Sequence, residues 1–445
     1  MLLGWVFAIL GLGIMAFIPF GSPYCDRTKT TSCPLPYALV PASDQSFFNL
    51  DAPNQGSLFI LLSMLVSFGS VIAQSASDAL VVEYAKREPM AIRGRLLTVC
   101  AICRGAAGIP AVLIPAFGLN GVQYNGSFSF ALAPNVPYLF SLVPCVVSAV
   151  AALCCIEEPP LPANISFQQW WASFRALIER REVVQICLVK FSLSIARFFV
   201  ATPQNPIQTH WAHMEPLTVS LSSFGGGIVY SLAMALVASH GLHWDWRLGL
   251  AFSVVAVVAL DGLTILVTTW NILRNQWFFA AGTMLESFPT GVNLIVSSFC
   301  VIEITEVGTE GTVSGFLASF SNLGQPFASL LFKYVDSFFD VSQEAIVRDS
   351  NAVRWDITYV YGISYAVRLV SLVSLVWMPA QKAEIQELKR RNQTSRTAGT
   401  LLLVLFVVAL AVSVASNVLS IFPSTKCYRL AGGNGIVDVN GKCPV

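Results

Sequence analysis

Charge is scarce in this chain. Asp, Glu, Lys and Arg make up 11% of its 445 residues, whereas soluble domains carry about 25%, so a water-facing globular surface is excluded. An imbalance of sign is missing too. The 26 basic and 25 acidic residues leave a net charge of +1, which offers neither a field for nucleic acid nor an acidic tail. There is no GxxxxGK[ST] loop to support ATP-driven pumping and no G-x-S-x-G elbow. Nothing resembles a soluble catalytic constellation, so an enzyme is not expected. The four histidines, His210, His213, His240 and His243, lie in or beside loops. His210 and His213 are spaced for a metal pair, but lone loop histidines are far commoner, and no metal or cofactor is expected. Among eleven cysteines, Cys100 and Cys103 form a CxxC, but inside an apolar run where small packing residues are the commoner reading. No cleavable signal precedes the first apolar run, which begins at Met1.

What the chain has in abundance is long apolar runs, with 55% of its residues hydrophobic. A helix of about 20 apolar residues crosses the roughly 30 Å hydrocarbon core. Eleven runs are read as spans: 1–20, 56–82, 96–118, 137–156, 184–201, 218–239, 248–269, 277–302, 312–335, 353–378 and 400–421. The expected fold is an all-α polytopic membrane protein embedded in a lipid bilayer. Residues 1–156 form an N-terminal bundle of four spans, and 157–183 a cytoplasmic linker. Residues 184–378 form a C-terminal bundle of six spans, and 379–445 a cytoplasmic loop, an extra span at 400–421 and an outer tail. The linker opens with prolines and ends in a basic amphipathic stretch whose Trp170, Trp171 and Phe174 suit the headgroup level.

Loop charge orients these spans. Lys86, Arg87, Arg93 and Arg95 follow span two; Arg175, Arg180 and Arg181 follow span four; Lys382, Lys389, Arg390, Arg391 and Arg396 follow span ten. All three loops share one side if spans alternate, while the other side holds only scattered bases such as Arg27, Lys29, Arg274 and Arg348. The N-terminus is therefore expected in the cytoplasm and the C-terminus outside. Asn125 heads the one sequon on the outer side, a glycosylation acceptor; those at Asn164 and Asn392 fall inside. Cys25, Cys33, Cys427 and Cys443 all fall outside, where disulfides persist. The local pairs Cys25–Cys33 and Cys427–Cys443 are the expected connectivity, one of three that four cysteines allow.

Ionisable groups at a helix centre cost about 2.5–3.5 kcal/mol each on insertion scales and usually face a bundle interior or a watery path. At 1.5 Å per residue, Arg104, Asp261, Glu286 and Arg368 lie deep in their spans. They line a solute path or form an internal ion pair that holds helices together. Lys190 and Arg197 lie nearer the ends of a weak span, where snorkelling to the interface is as good a reading. Span 277–302 carries Pro289 and Gly291 after Glu286, and span 312–335 carries Gly315, Asn322, Gln325 and Pro326. Paired broken helices point to a transporter's binding site, although kinks also occur without a ligand.

Several stretches look like the folate–biopterin transporter family, a branch of the major facilitator superfamily, and most like its oomycete members. They are DALVVEYAKREP with RGR (78–95), NPIQTHWAHMEPL (205–217), GLHWDWRL (241–248), LRNQWF (273–278), ESFPTGV (286–292), VIEITEVGTEGTVSG (301–315) with SNLGQPF (321–327), and PAQKAEIQELKR (379–390). The resemblance covers nearly the whole chain. It implies a two-bundle fold that moves folates and pterins by rocking about a central site. The family's motif residues would fall on Asp78, Glu83, Arg87, Glu88, Pro89, Arg93 and Gly94, and later on Pro206, Gln208, Trp211, Trp244, Arg247, Glu286, Pro289, Gly291, Glu303, Glu310, Gly311, Asn322 and Pro326. Asp78 and Arg93 look like the superfamily's charge clasp on the inward gate, with Glu83 and Arg87 beside them. Members of the family begin with two further spans, so the first span here resembles their third and the first bundle lacks two helices. An incomplete gene model is favoured over a degenerate copy, because the remaining charges and kinks still make a working site.

The resulting expectation is a secondary active transporter of a folate- or pterin-like solute, working by alternating access in the plasma membrane. Arg104 or Arg368 suits the solute's carboxylates. Glu286 or Asp261 suits the ring N–H groups or carries a coupling proton. Asn322 completes the set. A non-transporting truncated paralogue, a regulatory membrane protein and a transporter of another small organic solute are the rivals. The sequence leaves the oligomeric state open.

Overall fold

The computed structural model describes residues 1–445 apart from 34–36, 38–39, 53–55, 90–91, 125, 157–165, 306–309, 422–423, 426, 432, 434 and 436–445. The described residues are helices joined by turns, with isolated bridges and no strands. Fourteen helices matter below: α1 (Leu2–Phe17), α2 (Ser57–Lys86), α3 (Arg95–Gly118), α4 (Val136–Cys155), α5 (Phe167–Ile178), α6 (Arg181–Phe198), α7 (Pro216–His240), α8 (Trp246–Thr269), α9 (Gln276–Ile304), α10 (Glu310–Asp336), α11 (Gln343–Arg348), α12 (Asn351–Val370), α13 (Lys382–Arg391) and α14 (Arg396–Ile421).

Each of the eleven expected spans corresponds to one of these helices. Eight are long and apolar enough to cross a membrane: α2, α3, α4, α7, α8, α9, α12 and α14. The other three fall short of that standard. The first, α1, has 16 residues; α6 carries Arg181, Glu182, Lys190 and Arg197; the middle of α10 is diluted by Ser319, Ser321, Asn322, Gln325 and Ser329. The expectation of broken helices is corrected, because α9 runs as continuous helix through Pro289 and Gly291, and α10 through Pro326. Proline removes one i→i−4 hydrogen bond, so the Leu285 carbonyl loses its Pro289 donor while neighbouring bonds hold the helix together.

The chain packs as two compact units. The first comprises Met1–Leu80, Ala107–Pro162 and Glu215–Phe224; the second comprises Val81–Ala106, Ala163–Met214 and Gly225–Val445. In the first unit α1 and α2 touch backbone to backbone. A Cβ added to Gly4 would stand 2.5 Å from the Gly69 carbonyl oxygen, and one on Gly69 would stand 2.6 Å from that of Gly4. Small residues permit this in a bilayer, where close van der Waals contact replaces hydrophobic drive. Asn135 ties the ends of α1 and α4 by donating to the carbonyls of Met15, at 3.0 Å, and Ile18. Cys25 and Cys33 form the expected disulfide in the loop after α1. Cys427 is also disulfide-bonded, while Cys443 and the sequon residue Asn125 lie outside the described residues.

The second unit has a continuous apolar core. Ile186, Val189, Trp246, Leu250, Ile295, Val296, Phe299 and Phe320 are buried. The outer face of α14 is the inverse, with Leu401, Val404, Val407, Val408, Val414 and Val418 exposed, as a lipid-facing surface requires. The linker helix α5 starts at a reciprocal Ser166–Gln169 capping box. Phe174 packs edge-on against Phe316, while Trp170 and Trp171 stay 41% and 42% exposed beside it.

Candidate functional site

Three capped helices position the site in the second unit. Asp245 starts α8 by accepting from the N–H groups of Arg247 and Leu248; Asn275 starts α9 by accepting from Trp277, and Ser350 starts α12 by accepting from Val353. These helices carry Asp261, Glu286 and Arg368, and α6 contributes Arg197. The four side chains line one cavity of about 190 Å³, together with Leu193, Ala196, Val200, Gln204, Ser253, Val254, Val257, Pro289, Thr290 and Asn293. That volume lies below the roughly 300–1,000 Å³ of pockets for drug-sized ligands. Its size suits one compact ring system.

The cavity is amphoteric. Arg368 Nη1 stands 3.4 Å from Asp261 Oδ2, and both side chains are at least nine-tenths buried. Arg368 therefore neutralises a charge that could not stay in the interior alone. Asn293 Nδ2 donates to Ser253 Oγ at 2.8 Å on the same wall. Glu286 and Arg197 differ from these. Among the described residues, no hydrogen bond or ion pair holds the Glu286 carboxyl, and no carboxylate pairs with Arg197, whose guanidinium lies 5.4 Å from the Phe198 ring. One free carboxyl and one free guanidinium thus face the same space.

Three of the deep residues expected from sequence come together here, and two expected residues do not. Asn322 is exposed on α10, because the inward face of that helix is set by Val313, Leu317, Phe320, Leu323 and Gly324 at helical spacing. Arg104 is exposed on α3. Its neighbour Gly105 takes the inward direction, against Ser231 and Met234. Sequence reasoning undervalued Arg197, whose place near the end of a weak span favoured the interface. Ser253, Asn293 and Gln204 carried no signal, being common polar residues in apolar runs.

The residues expected to form a gate motif make other contacts. Glu83 and Arg87 make an exposed i,i+4 pair at 2.7 Å, the class worth about 0.3–0.5 kcal/mol. Gln74 Nε2 approaches Asp78 Oδ2 at 3.5 Å. The carboxylate that Arg93 meets is Glu303, at 3.2 Å, on the last turn of α9. Glu303 is buried and also accepts from Gln386 Nε2 at 2.7 Å. Lys382 Nζ donates to the Arg93 carbonyl at 2.7 Å, and Lys389 Nζ to that of Glu303 at 3.1 Å. Lys86 Nζ donates to the Thr305 carbonyl. Burial lowers the Lys382 ammonium below its usual pKa, opposed by the Glu303 carboxylate. Helix α13, the loop before α3 and the end of α9 are thereby one hydrogen-bonded body.

Glu88 folds that loop by accepting from the N–H groups of Gly94 and Leu96, both at 2.9 Å. Gly94 has φ +103°, and a Cβ there would meet Phe299 Cδ1 at 2.9 Å. Gly94→Ala is expected to cost about 1–3 kcal/mol through backbone strain, read as a lowered melting temperature of the purified protein; an unchanged temperature would mean the loop rearranges freely.

At the opposite end of the unit, Asp349 lies between two arginines. Arg274 donates to both its oxygens at 2.7 and 3.0 Å, and Arg354 to both at 2.9 Å. Hydrogen bonds from Arg274, then from Arg354, hold this carboxyl well below the usual range. The Arg274 guanidinium also lies 4.6 Å from the ring centre of Trp211, whose Nε1 donates to the Ile346 carbonyl.

No protein-family model matches this chain, and no curated protein matches it. Solved structures do. A major facilitator superfamily proton:xylose symporter, XylE, bound to 6-bromo-6-deoxy-D-glucose, aligns over 88% of this chain and 82% of its own, with 10% identity and a TM-score of 0.57. The chain has a major-facilitator-like fold. The transporter FucP in its outward conformation aligns over 83% of this chain and 82% of its own, with 12% identity and a TM-score of 0.48. At these identities the likeness speaks for the fold alone.

Proposed function

We propose that this protein is a secondary active transporter that carries a folate- or pterin-like solute by alternating access between its two bundles, 1–156 and 184–378. The observation that carries this reading is the cavity in which the Glu286 carboxyl and the Arg197 guanidinium, neither in an ion pair among the described residues, share one space beside the Asp261–Arg368 pair. A carboxylate accepts from the amidine-like N–H edge of a pterin, and a guanidinium takes a carboxylate in fork geometry. The enclosed volume suits the pterin ring, leaving a glutamyl tail to extend beyond it. The fold neighbour is a proton:xylose symporter, but a neutral sugar would leave both free charges of this cavity unmatched, at a cost. The same chemistry also admits another amphoteric organic solute. Loop charge supports a cytoplasmic N-terminus.

The test is uptake of labelled folic acid and biopterin into proteoliposomes. Glu286→Gln is expected to reduce uptake by about 10²-fold or more, the scale of losing one positioned proton-transfer or charged contact. Unchanged uptake with unchanged pH dependence would remove Glu286 from the mechanism, and absence of uptake by the wild type would favour a non-transporting role.

A further inference from the structure

Helix α12 carries Tyr361, Tyr365 and Arg368 at i, i+4 and i+7, which is one helical face. Tyr361 is buried, and among the described residues its hydroxyl has no hydrogen-bond partner. The same holds for Nε of Arg368, while the Tyr365 hydroxyl faces Asp261 without meeting hydrogen-bond geometry. Towards the solvent end of the helix stands Asp336, the buried last residue of α10. Its Oδ2 accepts from the Thr202 N–H at 2.9 Å and from the Thr202 hydroxyl, and its Oδ1 has no partner among the described residues. Thr202 itself is exposed.

The groups follow one another. Asp336 lies within electrostatic range of Tyr361, the rings of Tyr361 and Tyr365 are 6.0 Å apart, and Arg368 stands 5.9 Å from the Tyr365 ring and 3.4 Å from Asp261. Half of the eight buried side-chain polar atoms without a partner among the described residues belong to this row, so the defect is local and not a general looseness of packing. Each such atom costs about 1–3 kcal/mol when left unsatisfied. Folded proteins meet that cost with water.

We propose that Thr202, Asp336, Tyr361 and Tyr365 form a water-assisted proton path from the aqueous surface at the Asp349 end of this unit to Asp261 and Glu286. The proposal rests on the reading of the cavity as a transporter's site and adds the route by which its coupling ion arrives. An external hydronium ion gives its proton to Asp336. Each hydroxyl or water beyond accepts a proton on a lone pair and releases its own, and Asp336 returns to the carboxylate as the excess proton moves on. No electrons move and no group is consumed. The groups facing Asp261 are Arg368, Tyr365, Tyr361 and Glu286; those facing Glu286 are Asp261, Arg368, Tyr361 and Tyr365, with Arg197 in the same cavity. Asp261 is already paired with Arg368, so the path ends on Glu286, whose carboxyl has no hydrogen-bond or ion-pair partner among the described residues.

Infrared spectroscopy of the purified full chain, with no solute, tests the path directly. The protonated-carboxyl band that disappears in Glu286→Gln identifies Glu286, and its rate of appearance after a drop in pH reports proton arrival. Asp336→Asn and Tyr361→Phe are expected to slow that rate by at least about tenfold. Tyr361→Phe removes only an unpartnered hydroxyl, so it guards against loss of fold. Wild-type rates in both variants would overturn the proposal. In proteoliposomes the same variants are expected to lose pH-gradient-driven uptake of labelled folic acid while retaining its counterflow exchange; equal loss of both would also overturn it. If the wild type moves no folic acid at all, the transport reading fails, and the infrared rates still decide the path.

Discussion

Arg368→Leu is expected to lower the stability of the purified protein by about 3–5 kcal/mol, and adding Asp261→Leu to recover most of that loss. The pair lies with both side chains at least nine-tenths buried, 3.4 Å apart. Removing the guanidinium leaves an ionised or forcibly protonated carboxyl in an apolar interior, and such a broken pair costs about 3–5 kcal/mol. Replacing both members by apolar side chains removes the two desolvation penalties along with the attraction, which is frequently neutral or stabilising. Denaturant unfolding in detergent of the wild type, both single variants and the double variant closes the cycle. Equal stability of the single and double variants would show that the cost of Arg368→Leu is lost packing, and would detach Asp261 from it. Uptake separates structure from function: a stable double variant without uptake places the pair in the transport cycle.

Glu303→Ala is expected to release the loop before α3 from α13. The carboxylate is 1% exposed and gathers Arg93 and Gln386 in the last turn of α9. Its loss leaves Arg93 without its carboxylate and Gln386 without its acceptor, a loss of about 3 kcal/mol by the same reasoning. Glu303→Gln keeps the shape and loses the charge, so it is expected to fall between, since a hydrogen bond to a charged group contributes about 1.5–3 kcal/mol. Limited digestion with trypsin reads the release, with faster cleavage after Arg87, Arg93 and Lys389 in the order Ala, Gln, wild type. An unchanged order would show that Lys382, Lys389 and Lys86, which bond to backbone carbonyls of the same cluster, hold it unaided.

Helix positions were legible in the sequence because a bilayer leaves no alternative for 20 apolar residues. Every expected span corresponds to a helix, although α1, α6 and α10 fall below the standard for crossing a membrane on length or polarity. Charge within long apolar runs was legible too, and it pointed to Asp261, Glu286 and Arg368, which line one cavity. Direction around the helix was not. One residue of register is 100° of rotation, so Asn322 and Arg104 turn outward while Leu323 and Gly105 beside them face inward. The breaks expected at Pro289 and Pro326 failed for a local reason. One missing donor per turn is tolerated when the rest of a long helix is intact. Arg93 illustrates a third limit, since its partner Glu303 lies 210 residues away and no spacing rule reaches that far.

The two arginines around Asp349 have a consequence for the medium this end of the protein tolerates. Added salt weakens attraction between charges separated by more than a screening length, about 10 Å at 0.1 M and 3 Å at 1 M. The contacts from Arg274 and Arg354 to Asp349 span 2.7–3.0 Å, with the arginine side chains only 14% and 18% exposed. Dissolved ions have no room to come between them. Where this end faces outward, its loops keep their arrangement in dilute and in brackish water alike.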